Sequence, residues 1–123
     1  AYNTSFLIGA DGKIAAKYRK QNLFQANINA QRVTEKDRFL KGSRNVSTSI
    51  SGFKVGLSIC YDLRFSNLYQ RYYKKKVDVI CVPSAFTHVT GKAHWEVLVS
   101  DVMFWLRINM ALMPRVLSIM GIV

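Results

Sequence analysis

A chain of 123 residues, half of them hydrophobic, is long enough for one domain with a true core and too apolar for disorder. The net charge of +11 raises nucleic-acid binding, but the basic residues fall in three separate clusters, 13–20, 38–44 and 71–76. Aromatic residues interleave with them only at Tyr72 and Tyr73, where a solvated helix face explains the run as well, so neither nucleic acid nor membrane is expected as a partner. In chain order, the N-terminus lacks the basic and apolar regions of a signal peptide; it has no initiator Met and starts inside a strand pattern, which reads as a fragment. Residues 5–8 and 13–18 flank Asp11-Gly12 and predict a hairpin. Residues 21–45 are polar with little periodicity and read as a long loop. Residues 46–51 and 53–58 predict two strands about Ser51-Gly52, and residues 63–73 carry a helical apolar pattern. Residues 77–82 form a continuous apolar run closed by Pro83, a buried strand. Thr90-Gly91 reads as a loop and residues 93–100 as the start of a helix. Strands alternating with helices argue for an α/β layered sheet.

Cys60 is the most informative position. It closes an apolar strand, and the next residues, 61–65, read as the start of a helix. A thiol at a strand-to-helix turn sits at a sheet edge beside the positive end of a helix, which favours the reactive thiolate. The bland alternative is a buried core cysteine, the commoner role for a lone Cys in an apolar strand. Two cysteines, Cys60 and Cys81, make no disulfide scaffold and fit a reducing, cytoplasmic protein. Two histidines and these cysteines stand at no zinc-ligand spacing.

Around Cys60 lies an ordered set of short segments: Tyr18-Arg-Lys20, Glu35 with Gly42 behind it, Cys60-Tyr-Asp-Leu-Arg-Phe65, Val82-Pro-Ser-Ala-Phe86 and Ala93-His-Trp-Glu96. Together these resemble the nitrilase superfamily of carbon–nitrogen hydrolases, in the branch of omega-amidase and deaminated glutathione amidase, over residues 1–99. The resemblance implies a partial α-β-β-α sandwich and hydrolysis of a small linear carboxamide through a cysteine thioester, with release of ammonia. It implies no metal, no cofactor and a homo-oligomeric parent. Cys60 matches the nucleophile, Lys20 the catalytic lysine and Glu35 the second glutamate that supports it. The backbone N–H of Tyr61 would be an oxyanion donor. Ser84, Ala85, Phe86, Trp95 and Glu96 match substrate-pocket segments. Each has a bland alternative: Lys20 a surface lysine, Glu35 a solvated loop carboxylate, Ser84–Phe86 a strand end and turn, and His94 a helix-terminus histidine.

The chain also departs from that pattern. Asn22 stands where His is usual, Ser66-Asn67 replaces Pro-Glu, and Lys76-Val77-Asp78 replaces Gly-Ala-Asp. The general-base glutamate of the family has no match here, so the chain by itself is expected to be inactive; the alternative function is a non-catalytic remnant. After Val99 the resemblance stops, and residues 100–123 form an atypical apolar tail. A membrane segment is one reading, interrupted by Arg107, Asn109, Pro114 and Arg115. The preferred reading is translation out of frame, because a shifted frame permits strings typical of the family.

Overall fold

The computed structural model describes residues 1–28, 31–86, 88–105 and 120–122. The chain opens with strands β1 (Thr4–Ile8) and β2 (Ile14–Arg19), an antiparallel pair turned at Gly12, whose φ of 76° suits glycine. Residues expected to be loop instead form a second antiparallel pair, β3 (Gln25–Ile28) and β4 (Gln31–Thr34), followed by a 3-10 turn at Glu35–Asp37. Its backbone ladder runs Gln25↔Thr34, Ala26↔Val33 and Asn27↔Arg32, and Gln25, Asn27, Arg32 and Val33 are exposed. Among the described side chains of the ribbon, residues 25–27 and 32–34, none is buried, and without buried alternate positions there is no period-two apolar signal to read.

The central sheet has the order β5 (Val46–Ile50), β6 (Phe53–Leu57), β7 (Val79–Cys81), antiparallel and then parallel. Between β6 and β7 lies α1 (Ser66–Lys74), which packs Leu68, Tyr69 and Tyr72 into the core. Gly56 of β6 lets α1 come close: a Cβ there would sit 3.2 Å from the Tyr72 ring. The Tyr72 hydroxyl reaches the Leu57 carbonyl and accepts from the Val46 N–H, so the helix is tied to two strands. Beyond β7 run β8 (Ser84–Phe86) and α2 (His88–Trp105), and β9 (Met120–Ile122) pairs with β8 in parallel. The predicted break at Thr90-Gly91 is absent, since both residues lie within α2. One interior glycine costs a helix only about 1 kcal/mol, which the packing of Leu98 and Val102 into the core outweighs.

The core joins Tyr18 of β2, Val55 and Leu57 of β6, Ile80 of β7, Leu68, Tyr69 and Tyr72 of α1, and Val102 of α2, an α/β assembly as expected. Among the described residues no helix is long and apolar enough to cross a membrane. Residues 106–119, which hold most of the out-of-frame or membrane reading, lie outside the described residues.

Candidate active site at the end of the central sheet

Cys60 lies where the chain leaves β6 on the β7 side. The Ser58 N–H donates to the Cys81 carbonyl at 3.0 Å and the Cys60 N–H to the Pro83 carbonyl at 3.0 Å, so the parallel pairing runs up to the thiol. Cys60 then adopts φ 44°, a left-handed conformation that costs a non-glycine residue roughly 1–2 kcal/mol. Such strain persists where the surroundings over-determine it, commonly at reacting groups. The Cys60 Sγ is half-buried and lies 3.7 Å from the Ala85 carbonyl, which brings β8 against the thiol. The expected helix at residues 61–65 is not formed. Residues Cys60–Arg64 make a five-residue 3-10 turn, Phe65 interrupts it, and α1 starts at Ser66. The thiol therefore sits on a tight turn and not at the end of an α-helix dipole.

Lys20 is not a surface lysine. Its side chain is buried, and Nζ stands 2.6 Å from Glu35 Oε2. Glu35 Oε2 also accepts from the Phe24 N–H at 2.6 Å, and Oε1 accepts from Asn3 Nδ2 at 3.1 Å. Burial alone would raise the Glu35 carboxyl. The hydrogen bonds from Lys20, Phe24 and Asn3, together with the lysine's charge, outweigh it and hold the group below the usual carboxylate range. The backbone of Lys20 is pinned too, donating to the Asn3 carbonyl at 2.9 Å and accepting from the Gly42 N–H at 2.8 Å.

Asp62, to which the sequence alone assigns no role, joins these two halves. It is fully buried. Oδ2 accepts from the Tyr18 hydroxyl at 2.8 Å and from the Ile59 N–H at 3.0 Å. Oδ1 accepts from the Asn22 N–H at 2.9 Å and from Asn22 Nδ2 at 2.8 Å. Burial, reinforced by the Asp62 charge, pushes the Tyr18 phenol far above its usual value, so Tyr18 is a fixed donor. The Phe24 and Tyr61 rings meet edge-on at 5.2 Å and close the same junction. The signal was present in the sequence, a carboxylate two residues past Cys60, but a buried Asp cannot be told from a solvated one without the fold.

The remaining candidates are less gathered. Ser84 is buried, with Oγ donating to the Val82 carbonyl at 3.1 Å, and Trp95 packs against the core. Glu96 and His94 are exposed on α2. A cleft of about 390 Å³ lies along β4 and the turn after it, lined by Arg32, Val33, Thr34, Glu35, Asp37, Arg38 and Phe39. Glu35 lines it and Cys60 does not. Among the described residues no three His, Cys, Asp or Glu side chains gather as a metal site requires.

The site thus sets a left-handed, thiol-bearing residue at the end of an α/β sheet, with a buried ammonium–carboxylate pair tethered to the same turn. The chain belongs to the carbon–nitrogen hydrolase family, whose model matches residues 1–104. It is 43% identical over 101 residues to the deaminated glutathione amidase of Synechocystis sp. (80% of this chain, 37% of that one). It is 39% identical over 98 residues to the omega-amidase NIT2 of Homo sapiens (79% and 36%). The solved NitFhit protein of C. elegans shares the fold, with TM-score 0.82 at 31% identity over 97% of this chain and 28% of its own. The chain thus spans little more than a third of the length of the curated relatives it matches.

Proposed function

We propose that this segment carries the nucleophile half of an amidase acting on a small linear carboxamide. The observation that carries the reading is the burial of Lys20 against Glu35, on a segment that Asp62 ties to the strained Cys60 turn. The Cys60 thiolate attacks the amide carbon, and the carbonyl oxygen becomes an anion. Among the described residues Glu35 is the one partner of the Lys20 ammonium, which leaves ammonium protons to receive that oxygen. The Tyr61 N–H is the second donor. Collapse of the adduct breaks the carbon–nitrogen bond, ammonia leaves with a proton, and a thioester remains. Water attacks the thioester, releasing the carboxylic acid and restoring the thiol. Ser84, Ala85, Phe86, Trp95 and Glu96 are assigned to the substrate side on their match to the family's pocket segments.

Both steps need a base. Glu35 is a poor one, since both its oxygens already accept hydrogen bonds and its carboxyl is held low. A second carboxylate is required, and the 123 residues expressed alone are expected to show negligible turnover, because losing one member of a cooperating set costs nearly as much as losing all. Residues 100–123 are proposed as a tail read out of frame, which translation of the gene in all three frames decides.

The test is ammonia release from short linear carboxamides by the whole protein. Cys60→Ser is expected to abolish it, and Lys20→Ala to lower kcat by about 10²–10³. A whole protein that hydrolyses no carbon–nitrogen bond overturns the proposal.

A further inference from the structure

We propose that Asp62 is the positioning residue of this site, clamping the strand end that carries Lys20 onto the turn that carries Cys60. The inference rests on the roles proposed above for those two residues. Its ground is the symmetry of the grip. Tyr18 and Asn22, the residues two before and two after Lys20, both donate to the Asp62 carboxylate. On the other side the same carboxylate accepts from the Ile59 N–H, just before Cys60, while Asp62 itself lies two residues after Cys60. One buried group therefore holds both flanks of the lysine and both flanks of the nucleophile.

The donor set says what kind of device this is. All four bonds come from neutral groups, a phenol, a side-chain amide and two backbone N–H groups. Burying a carboxylate without a cation is expensive, and apolar packing would join the same two elements without that penalty. What apolar packing lacks is direction. Four bonds of 2.8 to 3.0 Å on two oxygens set the distance and angle between the two segments. Catalysis by a fixed ammonium depends on that setting, since a misplacement of about 1 Å can cost 10²-fold in rate. Asn22 has a particular part. It spends its backbone N–H and its side-chain N–H on one oxygen, and a histidine at this position has a ring N–H to give in place of the amide.

The experiment uses the whole protein and leaves Asp62, Cys60 and Lys20 in place. Asn22→Ala removes one donor at a half-buried position and keeps the backbone bond; Tyr18→Phe removes another. Both variants are expected to lower kcat about 10- to 100-fold with KM within about twofold. Asn22→His is expected to recover most of the loss. Alkylation of Cys60 by iodoacetamide, mapped by mass spectrometry against Cys81, reads the site without any amide turnover and is expected to change at least about fivefold in Asn22→Ala. If the wild type hydrolyses no amide, the proposed activity falls and the alkylation still decides the clamp. Unchanged Cys60 alkylation in folded Asn22→Ala and Tyr18→Phe overturns the clamp. Loss of kcat that His does not restore, or KM rising as kcat falls, also overturns it.

Discussion

Lys20 and Glu35, fifteen residues apart, meet at 2.6 Å with the lysine buried and the glutamate partly open to solvent. Two Glu35 oxygens gather donors from three separate places: the N-terminal Asn3, the strand-end Lys20 and the Phe24 backbone. Removing one partner of a buried pair strands the other charge, a loss of about 3–5 kcal/mol when both are fully buried. Glu35 keeps some solvent, so the lower end applies.

The first prediction concerns that pair and pH. The folded Glu35 carboxyl lies below its ordinary value, about 4.3 in an unfolded chain. Its contribution is fully present above the unfolded value and is lost as pH falls through the folded one. Thermal unfolding of the whole protein is expected to show a lower Tm for Glu35→Gln at neutral pH, with the gap to wild type closing on acidification below about pH 4. A gap that stays constant down to pH 2 would mean that the carboxyl's charge contributes nothing to the fold.

The second prediction concerns the two thiols. Cys81 lies inside β7, and burial pushes its thiol up, away from thiolate. Cys60 lies on the turn, at the edge of the core, with Sγ at the long distance of 3.7 Å from the Ala85 carbonyl. Alkylation of the native protein is expected to label Cys60 first. Preferential labelling of Cys81 would remove Cys60 as the nucleophile.

The sequence displayed the parts of this site better than their connections. Cys60 at a strand end, the β1–β2 and β5–β6 hairpins and the core-facing side of α1 follow from apolar periodicity and turn residues, and the structure places them as expected. Lys20 and Glu35 could be assigned only through the family resemblance. A lysine beside Lys17 and Arg19 looks solvated until Gly42 and Asn3 are seen to wrap its backbone. The β3–β4 ribbon is held by main-chain bonds and leaves no side-chain pattern. The helix expected after Cys60 became a 3-10 turn because Asp62 turns back to the Ile59 N–H, a contact invisible to propensity. Gly91 masked α2 because a local preference worth about 1 kcal/mol is easily overridden by packing.

The third prediction concerns Gly42. A Cβ at this position would fall 2.1 Å from the Arg19 carbonyl oxygen and 2.7 Å from its carbon, which are rigid backbone atoms. The same residue donates its N–H to the Lys20 carbonyl at 2.8 Å. Gly42→Ala must therefore push the loop off the strand end, break that bond and release the backbone of Lys20. Overpacking of this kind costs about 1–3 kcal/mol. Tm is expected to fall, and kcat to fall in the variant that remains folded at assay temperature. An unchanged Tm would mean that the loop has room this packing does not allow.

The fourth prediction separates strain from chemistry at Cys60. At φ 44° any residue with a Cβ is strained, and glycine is not. Cys60→Ala and Cys60→Gly both remove the thiol, so both are expected to be inactive. They differ in backbone freedom. Alanine retains the left-handed penalty and glycine removes it, at the expense of a more flexible unfolded chain worth about 0.4–1 kcal/mol. The left-handed penalty of roughly 1–2 kcal/mol is the larger effect. Cys60→Gly is therefore expected to unfold at a higher denaturant midpoint than Cys60→Ala. The alternative outcome, Cys60→Ala the more stable of the two, would show that the turn relaxes out of the left-handed region once the thiol is gone, and that no strain is held at residue 60.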